Sequence, residues 1–261
     1  MHDVAAKIPL AVFMQIADLP SADLALLPSY NETLIDSDGN ETTVDVMKQF
    51  ADYLRPHCAD RLSNPGEDFL SRLICGRING HPLTESEAVD MATTVMTGGI
   101  DTVTSALGLC MAHLAHNARL CQLLVENKQL IPNAVLELLR RNPIMTKARP
   151  VTKTITIDEV TLVSGEIVVL PPLHGLDERI FEEPLKVDIN RTSQPNLSFG
   201  IGPHRCPGTL LARAEIEITL TAWLERIPEF TVDKLNPPKM QGGVLGAIQS
   251  LGLQWPVQTN H

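Results

Sequence analysis

The sequence predicts a mainly helical fold that also contains small β-sheets. Hydrophobic residues recur at spacings of three and four through the first part of the chain, which is typical of amphipathic helices. The spacing changes to two between Thr152 and Leu170, as in strands. A glycine- and proline-rich segment then leads to a single cysteine and a last helical pattern. We therefore predict one domain over residues 1–261, with 1–150 mainly helical and 151–261 carrying the sheet, the cysteine loop, a long helix and terminal strands.

The first helical segments are separated by recognisable turns. Asp38-Gly39-Asn40 predicts a turn, and the next helix runs from about Thr42 to Arg61 because its apolar residues keep helical spacing. Asn79-Gly80 is a strong signal for a hairpin turn. It predicts that residues 77–78 pair with residues 81–82.

Three further helices are predicted. Thr84 followed three residues later by Glu87 forms a capping box, so the longest helix should begin there and reach about Leu114. Another helix covers residues 132–141, and a strongly amphipathic helix extends from the cysteine loop to about Arg226. The tail, residues 230–255, predicts short strands.

Charge and composition exclude several classes of protein. The 261 residues contain 21 Lys and Arg against 31 Asp and Glu, so the net charge of -10 disfavours nucleic-acid binding. Apolar stretches end well short of the roughly 18 residues that a membrane span requires. The N-terminus resembles no secretory signal, and we expect a cytoplasmic location. Five cysteines without a CxxC pair predict neither a disulfide framework nor a zinc cluster.

The segment FGIGPHRCPG, residues 199–208, carries the strongest chemical signal. Its glycines allow the backbone to approach a flat, bulky group closely. Cys206 precedes Pro207, which suits the first turn of a helix, and the positive end of a helix dipole stabilises a thiolate. A thiolate can act as a metal ligand or as a nucleophile. The alternative is a buried structural cysteine, which is the commoner role of an isolated cysteine.

This segment resembles the haem-ligand loop of the cytochrome P450 family. The resemblance implies that Cys206 is the axial thiolate of haem iron, that Phe199 packs beside it, and that His204 meets a haem propionate. Gly200 and Gly208 are the matching loop glycines. Thiolate ligation favours O–O cleavage at haem iron, which explains sulfur at this position.

A second motif of the family lies on the predicted helix 132–141. Glu137 and Arg140 match the ExxR signature, and their spacing places both on one helix face. The resemblance implies that this pair bonds to an arginine ahead of the cysteine loop, for which Arg191 is the match. Such an ionic triad is scaffold. Taken alone, Glu-x-x-Arg is more often a solvated surface pair.

A third motif interrupts the longest predicted helix. Gly98 and Gly99 each cost about 1 kcal/mol against alanine in a helix interior, so a widened turn is expected. With Asp101 and Thr102 they match the acid–alcohol motif of the family. The resemblance implies that Thr102 holds dioxygen and its proton while Asp101 relays protons through water. The alternative is a packing contact between helices that small residues permit.

Weaker matches complete the candidate site. The resemblance implies that Arg149 pairs with a haem propionate, although a surface arginine would look the same. Six residues match segments that line the substrate pocket in the family, although they are equally ordinary core residues. They are Met96, Gly98, Ile144, Met145, Val244 and Leu245.

The resemblance implies a haem-thiolate monooxygenase of the soluble bacterial, camphor-hydroxylase type. Its cofactor would be haem b, iron protoporphyrin IX, and it would insert one oxygen atom of O2 into a small hydrophobic substrate with electrons from a ferredoxin or flavoprotein. The N-terminal third of the family has no counterpart here, so we expect weak haem binding and an exposed strand edge near residues 168–170. The alternatives are a non-catalytic haem-binding relic and a helical interaction domain without a cofactor.

Overall fold

The computed structural model describes residues 4–25, 41–191 and 197–256. The chain divides into two compact units, one ending at Thr104 and the other beginning at Ser105. The turn predicted at residues 38–40 lies outside the described residues. Because the units are defined by contacts alone, the prediction of a single domain stays a prediction.

The first unit is built from helices around one hydrophobic core. The helices are α1 (Lys7–Ile16), α2 (Glu41–Ser63), α3 (Phe69–Ile74) and the first part of α4 (Glu85–His116). Its core combines side chains of α2, α3 and α4 that are at most 1% exposed, among them Phe50, Leu70 and Ile100. Burying such side chains contributes about 1.5 to 3 kcal/mol each.

A predicted hairpin and a predicted capping box precede the start of α4. Strands β1 (Arg77–Ile78) and β2 (His81–Pro82) pair antiparallel, and Asn79 and Gly80 both have positive φ angles, as a type I′ turn requires. The capping box is confirmed, because the Thr84 N–H donates to Glu87 Oε2 at 2.8 Å and the Glu87 N–H donates to Thr84 Oγ1 at 3.3 Å.

The second unit combines helices with two-stranded antiparallel ladders. Its helices are the remainder of α4, α5 (Ala118–Glu126), α6 (Ile131–Arg141) and α7 (Thr209–Arg226). Its strands are β3 (Lys147–Pro150), β4 (Ile155–Ile157), β5 (Val160–Leu162), β6 (Ile167–Leu170), β7 (Thr231–Val232), β8 (Lys239–Gln241), β9 (Ala247–Ser250) and β10 (Leu253–Gln254).

The ladder of β3 and β6 starts five residues before the predicted strand region. Lys147 pairs with Leu170, and Arg149 pairs with Val168. Among the described residues β6 pairs with β3 alone, and Ile167 and Val169 are 69% and 59% exposed. The expected exposed edge is therefore present in the described part of the chain.

Helix α7 differs from its prediction. We predict a strongly amphipathic helix, but Leu210 and Ile218 are 78% and 68% exposed whereas Glu215 is only 7% exposed. Ile216 and Leu220 are buried as expected. The prediction of strong amphipathicity is wrong because apolar residues are distributed around the whole helix rather than along one face.

Among the helices of the described residues, α4 alone has the length and the apolar composition that crossing a membrane would require. In its most apolar window, 61% is buried inside the protein. A core helix passes the same test, and burial on that scale favours a core helix.

Candidate functional site

The cysteine loop is a tight backbone turn that ends against α7. The Cys206 N–H donates to the Phe199 carbonyl at 2.8 Å, and the Arg205 N–H donates to the Gly202 carbonyl at 3.0 Å. The Thr209 hydroxyl donates to the Cys206 carbonyl at 2.7 Å. These bonds fix the backbone on both sides of the cysteine. Cys206 itself is half-buried and free of any disulfide.

Two glycines of the loop lie where a Cβ would contact another part of the loop. Gly200 has a φ of +73°, and a Cβ there would lie 3.1 Å from the His204 carbonyl oxygen. A Cβ at Gly208 would come within 3.8 Å of Cys206 Sγ. Glycine at these positions therefore permits the turn and keeps one side of the sulfur free of a side chain.

Helix α7 begins later than the sequence pattern suggests. Its first residue is Thr209 and its N-cap is Gly208, so Pro207 precedes the helix rather than occupying its first turn. The N-cap has no side-chain hydrogen bond. The N-cap residue therefore leaves the first backbone N–H groups of the helix without a side-chain acceptor.

The ExxR residues form a buried ionic network rather than a surface pair. Arg140 Nε donates to Glu137 Oε1 at 2.8 Å, and Arg191 Nε donates to Glu137 Oε2 at 3.2 Å. Arg140 is 1% exposed, and its guanidinium lies 5.0 Å from the ring centroid of Phe181. Burial opposes ionisation of Glu137, but hydrogen bonds from Arg140, the Asp188 N–H and Arg191 outweigh it and hold the pKa of Glu137 below its ordinary value.

The same helix anchors the start of the cysteine loop. Ser198 Oγ donates to the Leu139 carbonyl of α6 at 3.0 Å. Arg140 also donates to the carbonyls of Pro184 and Lys186, each at 2.8 Å. A single buried guanidinium thus holds the chain segment ahead of Arg191, while Ser198 fixes the segment after it.

The glycine motif of α4 has no packing partner within the described residues. A Cβ at Gly98 or Gly99 would meet no atom within 4 Å outside its local helix backbone. Thr102 Oγ1 donates to the Gly98 carbonyl at 2.7 Å. The alternative of a helix-packing contact therefore finds no support, since the space that the missing side chains leave is open.

Asp101 is the residue of this motif whose carboxyl group has an unsatisfied buried oxygen within the described residues. Its Oδ1 atom is buried without a hydrogen-bond partner among the described residues, and burial raises the pKa of Asp101 to about 7. A carboxyl group with this pKa exchanges its proton near neutral pH.

The structure brings together four of the six residues expected to line a pocket. Met145 and Leu245 form an isolated β-bridge, and the Gly246 N–H donates to the Ile144 carbonyl at 2.7 Å. Val244 stands beside them and is 74% exposed. In the first unit, Met96 is fully buried in the core, and Gly98 belongs to the motif of α4 described above.

The structure places the two expected propionate partners differently from each other. His204 is exposed within the cysteine loop. Arg149 is exposed on β3, where its guanidinium donates to the carbonyl of Ala148 at 2.8 Å. The sequence motifs do not point to Lys147. Its ammonium nitrogen lies 3.6 Å from the position that a Cβ on Gly200 would occupy. Its one sequence signal is its place two residues before Arg149, on the same strand face.

Glu215 is a second residue that sequence reasoning missed. It lies on α7, nine positions after Cys206, and its Oε2 atom is buried without a partner among the described residues. Burial raises the pKa of Glu215 to about 7. Its position between apolar neighbours in the sequence gives no sign that the carboxyl group is buried.

The donor set suits a group with a single soft ligand. Within the described residues no three His, Cys, Asp or Glu side chains cluster as a metal site would require. Cys206 stands instead as one free, half-buried sulfur on a glycine-lined loop. A single protein sulfur would suit haem iron, because the macrocycle itself would supply most of the other ligands.

A helical fold with small ladders and one free cysteine on a glycine loop ahead of a long helix fits the haem-thiolate class of proteins. A family model described as Cytochrome P450 matches residues 10–251. The chain belongs to the cytochrome P450 family. Among curated proteins, Cyclomarin C epoxidase CymV of Salinispora arenicola is 32% identical over 240 residues, which cover 88% of this chain and 61% of CymV.

Solved structures show the same fold. The crystal structure of CYP101C1 has a TM-score of 0.90 and 36% identity, and the match covers 98% of this chain and 65% of that one. CYP101J2 has a TM-score of 0.88 and 36% identity, covering 98% and 64%. The predicted fold class is confirmed. The chain spans less than two thirds of the length of each of these three proteins.

Proposed function

We propose that the chain carries the haem-thiolate site of a monooxygenase. The reaction inserts one oxygen atom of O2 into a small hydrophobic substrate and releases the other as water, with two electrons and two protons consumed. The observation that carries the proposal is the cysteine loop, in which Cys206 is held by backbone bonds while Gly208 leaves the sulfur uncovered. When bound, haem supplies the activation of dioxygen, which a thiolate ligand favours.

Residues of the second unit are the proposed cofactor ligands. Cys206 would bind the iron, Phe199 would pack beside it, and His204 and Arg149 would pair with the propionates of haem b. The network of Glu137 and Arg140 supports this role because it holds the chain segment ahead of the loop. Breaking a buried ionic network of this kind leaves an unpaired charge, which costs about 3 to 5 kcal/mol.

Residues of α4 are the proposed proton carriers. Asp101 is suited to take up and release a proton near neutral pH, because burial raises its pKa to about 7. Thr102 is the second group, since a hydroxyl can both accept and donate a hydrogen bond. Together they would hold and pass on protons at this position of α4.

The substrate and partners are proposed more broadly. The bridged pair of segments, 144–146 and 244–246, presents apolar side chains and supports a small hydrophobic substrate. Relatives are named for an epoxidase, an N-oxygenase and a steroid monooxygenase, so they share oxygen transfer and differ in substrate. We propose a ferredoxin or flavoprotein as electron donor, and a cytoplasmic location.

Haem uptake by the 261-residue chain tests the proposal. We expect the protein to bind haem, and the reduced form to give the red-shifted carbonyl band of thiolate ligation in difference absorbance spectra. Cys206→Ser should lose that band because an alcohol is a poor ligand for haem iron, whereas Cys75→Ser, at an exposed cysteine, should retain it. A wild-type chain without a Soret band, or a Cys206→Ser variant that keeps the thiolate signature, would contradict the proposal.

Thr102→Ala separates oxygen chemistry from haem binding. The variant should keep the carbonyl band and divert more of the supplied electrons to hydrogen peroxide, because the proton delivery is impaired. Peroxide and oxygen consumption are measured with a ferredoxin and its reductase. Unchanged peroxide yield would remove Thr102 from the proposed mechanism.

A further inference from the structure

A lysine that has no ion-pair partner among the described residues lies beside the cysteine loop. Lys147 opens strand β3 and is half-buried, and its Nζ atom lies 3.6 Å from the position that a Cβ on Gly200 would occupy. The same Cβ position is 3.1 Å from the His204 carbonyl. The ammonium group therefore reaches the part of the loop that also carries His204.

This ammonium group has no negative partner in the described part of the chain. No Asp or Glu among the described residues lies within salt-bridge distance of Lys147, although ten other ion pairs form there. A partly exposed ammonium without a protein counter-ion is free to form a charge-assisted hydrogen bond with a bound anion at that position.

The pKa of His174 is affected by burial and by the positive charge of Lys147. Burial lowers the pKa of His174, and the positive charge of Lys147 lowers it further. The Nε2 atom of His174 is buried and has no hydrogen-bond partner among the described residues. His174 therefore lies close enough to Lys147 for the positive charge to disfavour protonation of the imidazole.

Arg149 lies on the same face of β3 but differs in its surroundings. Its side chain is exposed, and its guanidinium donates to the carbonyl of the preceding residue, Ala148. Nothing in the described residues holds it against the loop. Of the two cations on this strand face, Lys147 is the one positioned beside the segment that carries Cys206.

We propose that Lys147 is the main cationic anchor for a carboxylate of the haem. The inference rests on the proposed function, because the carboxylates are those of iron protoporphyrin IX bound through Cys206. Iron protoporphyrin IX carries two carboxylates, and an ammonium beside the loop that would hold the cofactor could donate a charge-assisted hydrogen bond to one of them. Lys147 is a positioning residue for the cofactor and takes no part in oxygen transfer.

A thermodynamic cycle with esterified haem tests this role. Lys147→Met should weaken haem binding about fivefold to tenfold, the range expected between a partly exposed ion pair and a charge-assisted bond. Haem dimethyl ester, which lacks the negative charges, should bind the variant and the wild type equally. Dissociation constants are measured by absorbance and by quenching of Trp223 and Trp255.

Matched variants show whether position and charge both matter. Lys153→Met removes an exposed lysine from the turn after β3 and should leave haem binding unchanged. Lys147→Arg should restore most of the affinity, whereas Arg149→Met should cause a smaller loss than Lys147→Met. Circular dichroism of each variant shows that the helices are retained.

A second measurement needs no bound haem. In the haem-free protein, Lys147→Met should raise the pKa of His174 towards its ordinary value, and nuclear magnetic resonance titration of the imidazole measures the shift. Lys153→Met should leave that titration unchanged. An unshifted His174 titration in Lys147→Met would show that the ammonium does not lie near His174, and it would overturn the placement of Lys147 on which the inference rests.

The outcomes separate this inference from the proposed function. If the wild-type chain takes up no haem, the proposed function and the inference both fall. If the wild type binds haem and Lys147→Met binds it equally well, only the inference falls. It also falls if haem and its dimethyl ester lose affinity to the same extent, because the loss would then not depend on the carboxylates.

Discussion

At the scale of single residues, the loop depends on conformations that side chains rarely adopt. Gly200 and Gly202 both have positive φ angles, of +73° and +66°. They differ in their surroundings, because a Cβ at Gly200 meets the His204 carbonyl at 3.1 Å whereas a Cβ at Gly202 meets nothing within 4 Å among the described residues. The two positions therefore separate backbone strain from steric contact.

Alanine substitution at these two glycines should give unequal losses. Gly202→Ala should lower the free energy of unfolding by about 1 to 2 kcal/mol, the cost of the left-handed conformation alone. Gly200→Ala should cost more, because the His204 carbonyl must also move, and should weaken haem binding. Urea unfolding and haem titration measure the two effects. Equal losses would show that the contact at His204 is readily relieved.

At the scale of elements, α4 combines a stable start with a weak interior. The Thr84 capping box stabilises its first turn, whereas Gly98 and Gly99 lower helix propensity in the middle. Neither glycine is needed for packing within the described residues. A helix that keeps such a weak point without a packing reason fits a functional constraint on its open side.

Alanine at these positions should therefore stabilise the haem-free protein. Gly98→Ala and Gly99→Ala should each raise the free energy of unfolding by up to about 1 kcal/mol, the difference in helix propensity. If the open space serves oxygen or cofactor, both variants should also lose monooxygenase activity. Thr94→Ala, at an exposed position of the same helix, is the control that stabilises without loss of activity. Destabilisation by either glycine variant would restore the packing alternative.

Helix α6 shows how much one element can be predicted from its motif. The spacing of Glu137 and Arg140 places them on one face, and the resemblance implies a bond to Arg191. The sequence does not show that Arg140 also lies against Phe181 and binds the carbonyls of Pro184 and Lys186. These contacts join residues more than 40 positions apart, so they exist only once the chain is folded.

At the scale of the whole molecule, buried carboxyl groups should make stability depend on pH. The pKa values of Asp101 and Glu215 are raised by burial to about 7 from ordinary values of 3.8 and 4.5. Between these limits the folded chain holds protons that the unfolded chain has released. The contribution of these two groups to the free energy of unfolding should therefore fall as the pH rises from about 4 to about 7.

Glu137 has the opposite effect at lower pH. Its folded pKa lies below the ordinary value of 4.5, so its stabilising contribution is complete above that value and is lost as the pH falls through the folded pKa. Acid should therefore reduce the stabilisation that the ionic network provides. A rise towards neutral pH should reduce the stabilisation that comes from the two buried, protonated carboxyl groups.

Variants at the raised carboxyl groups test the slope above pH 4. The double variant Asp101→Asn and Glu215→Gln should flatten the fall in unfolding free energy, and Asp90→Asn, exposed on α4, should leave it unchanged. The measurement is urea unfolding of the haem-free protein at intervals between about pH 4 and pH 8. A double variant whose free energy of unfolding depends on pH as that of the wild type does would contradict the prediction.

The amino-acid sequence by itself determined the helical class, the hairpin at Asn79-Gly80, the capping box at Thr84 and the motifs around Glu137 and Cys206. These features depend on residues close together in the chain, whose spacing and local hydrogen bonds are legible without a fold. Only the tertiary structure decided that Lys147 lies beside Gly200 and that Glu215 is buried. Proximity and burial of this kind are set by elements distant in sequence, and no local pattern encodes them.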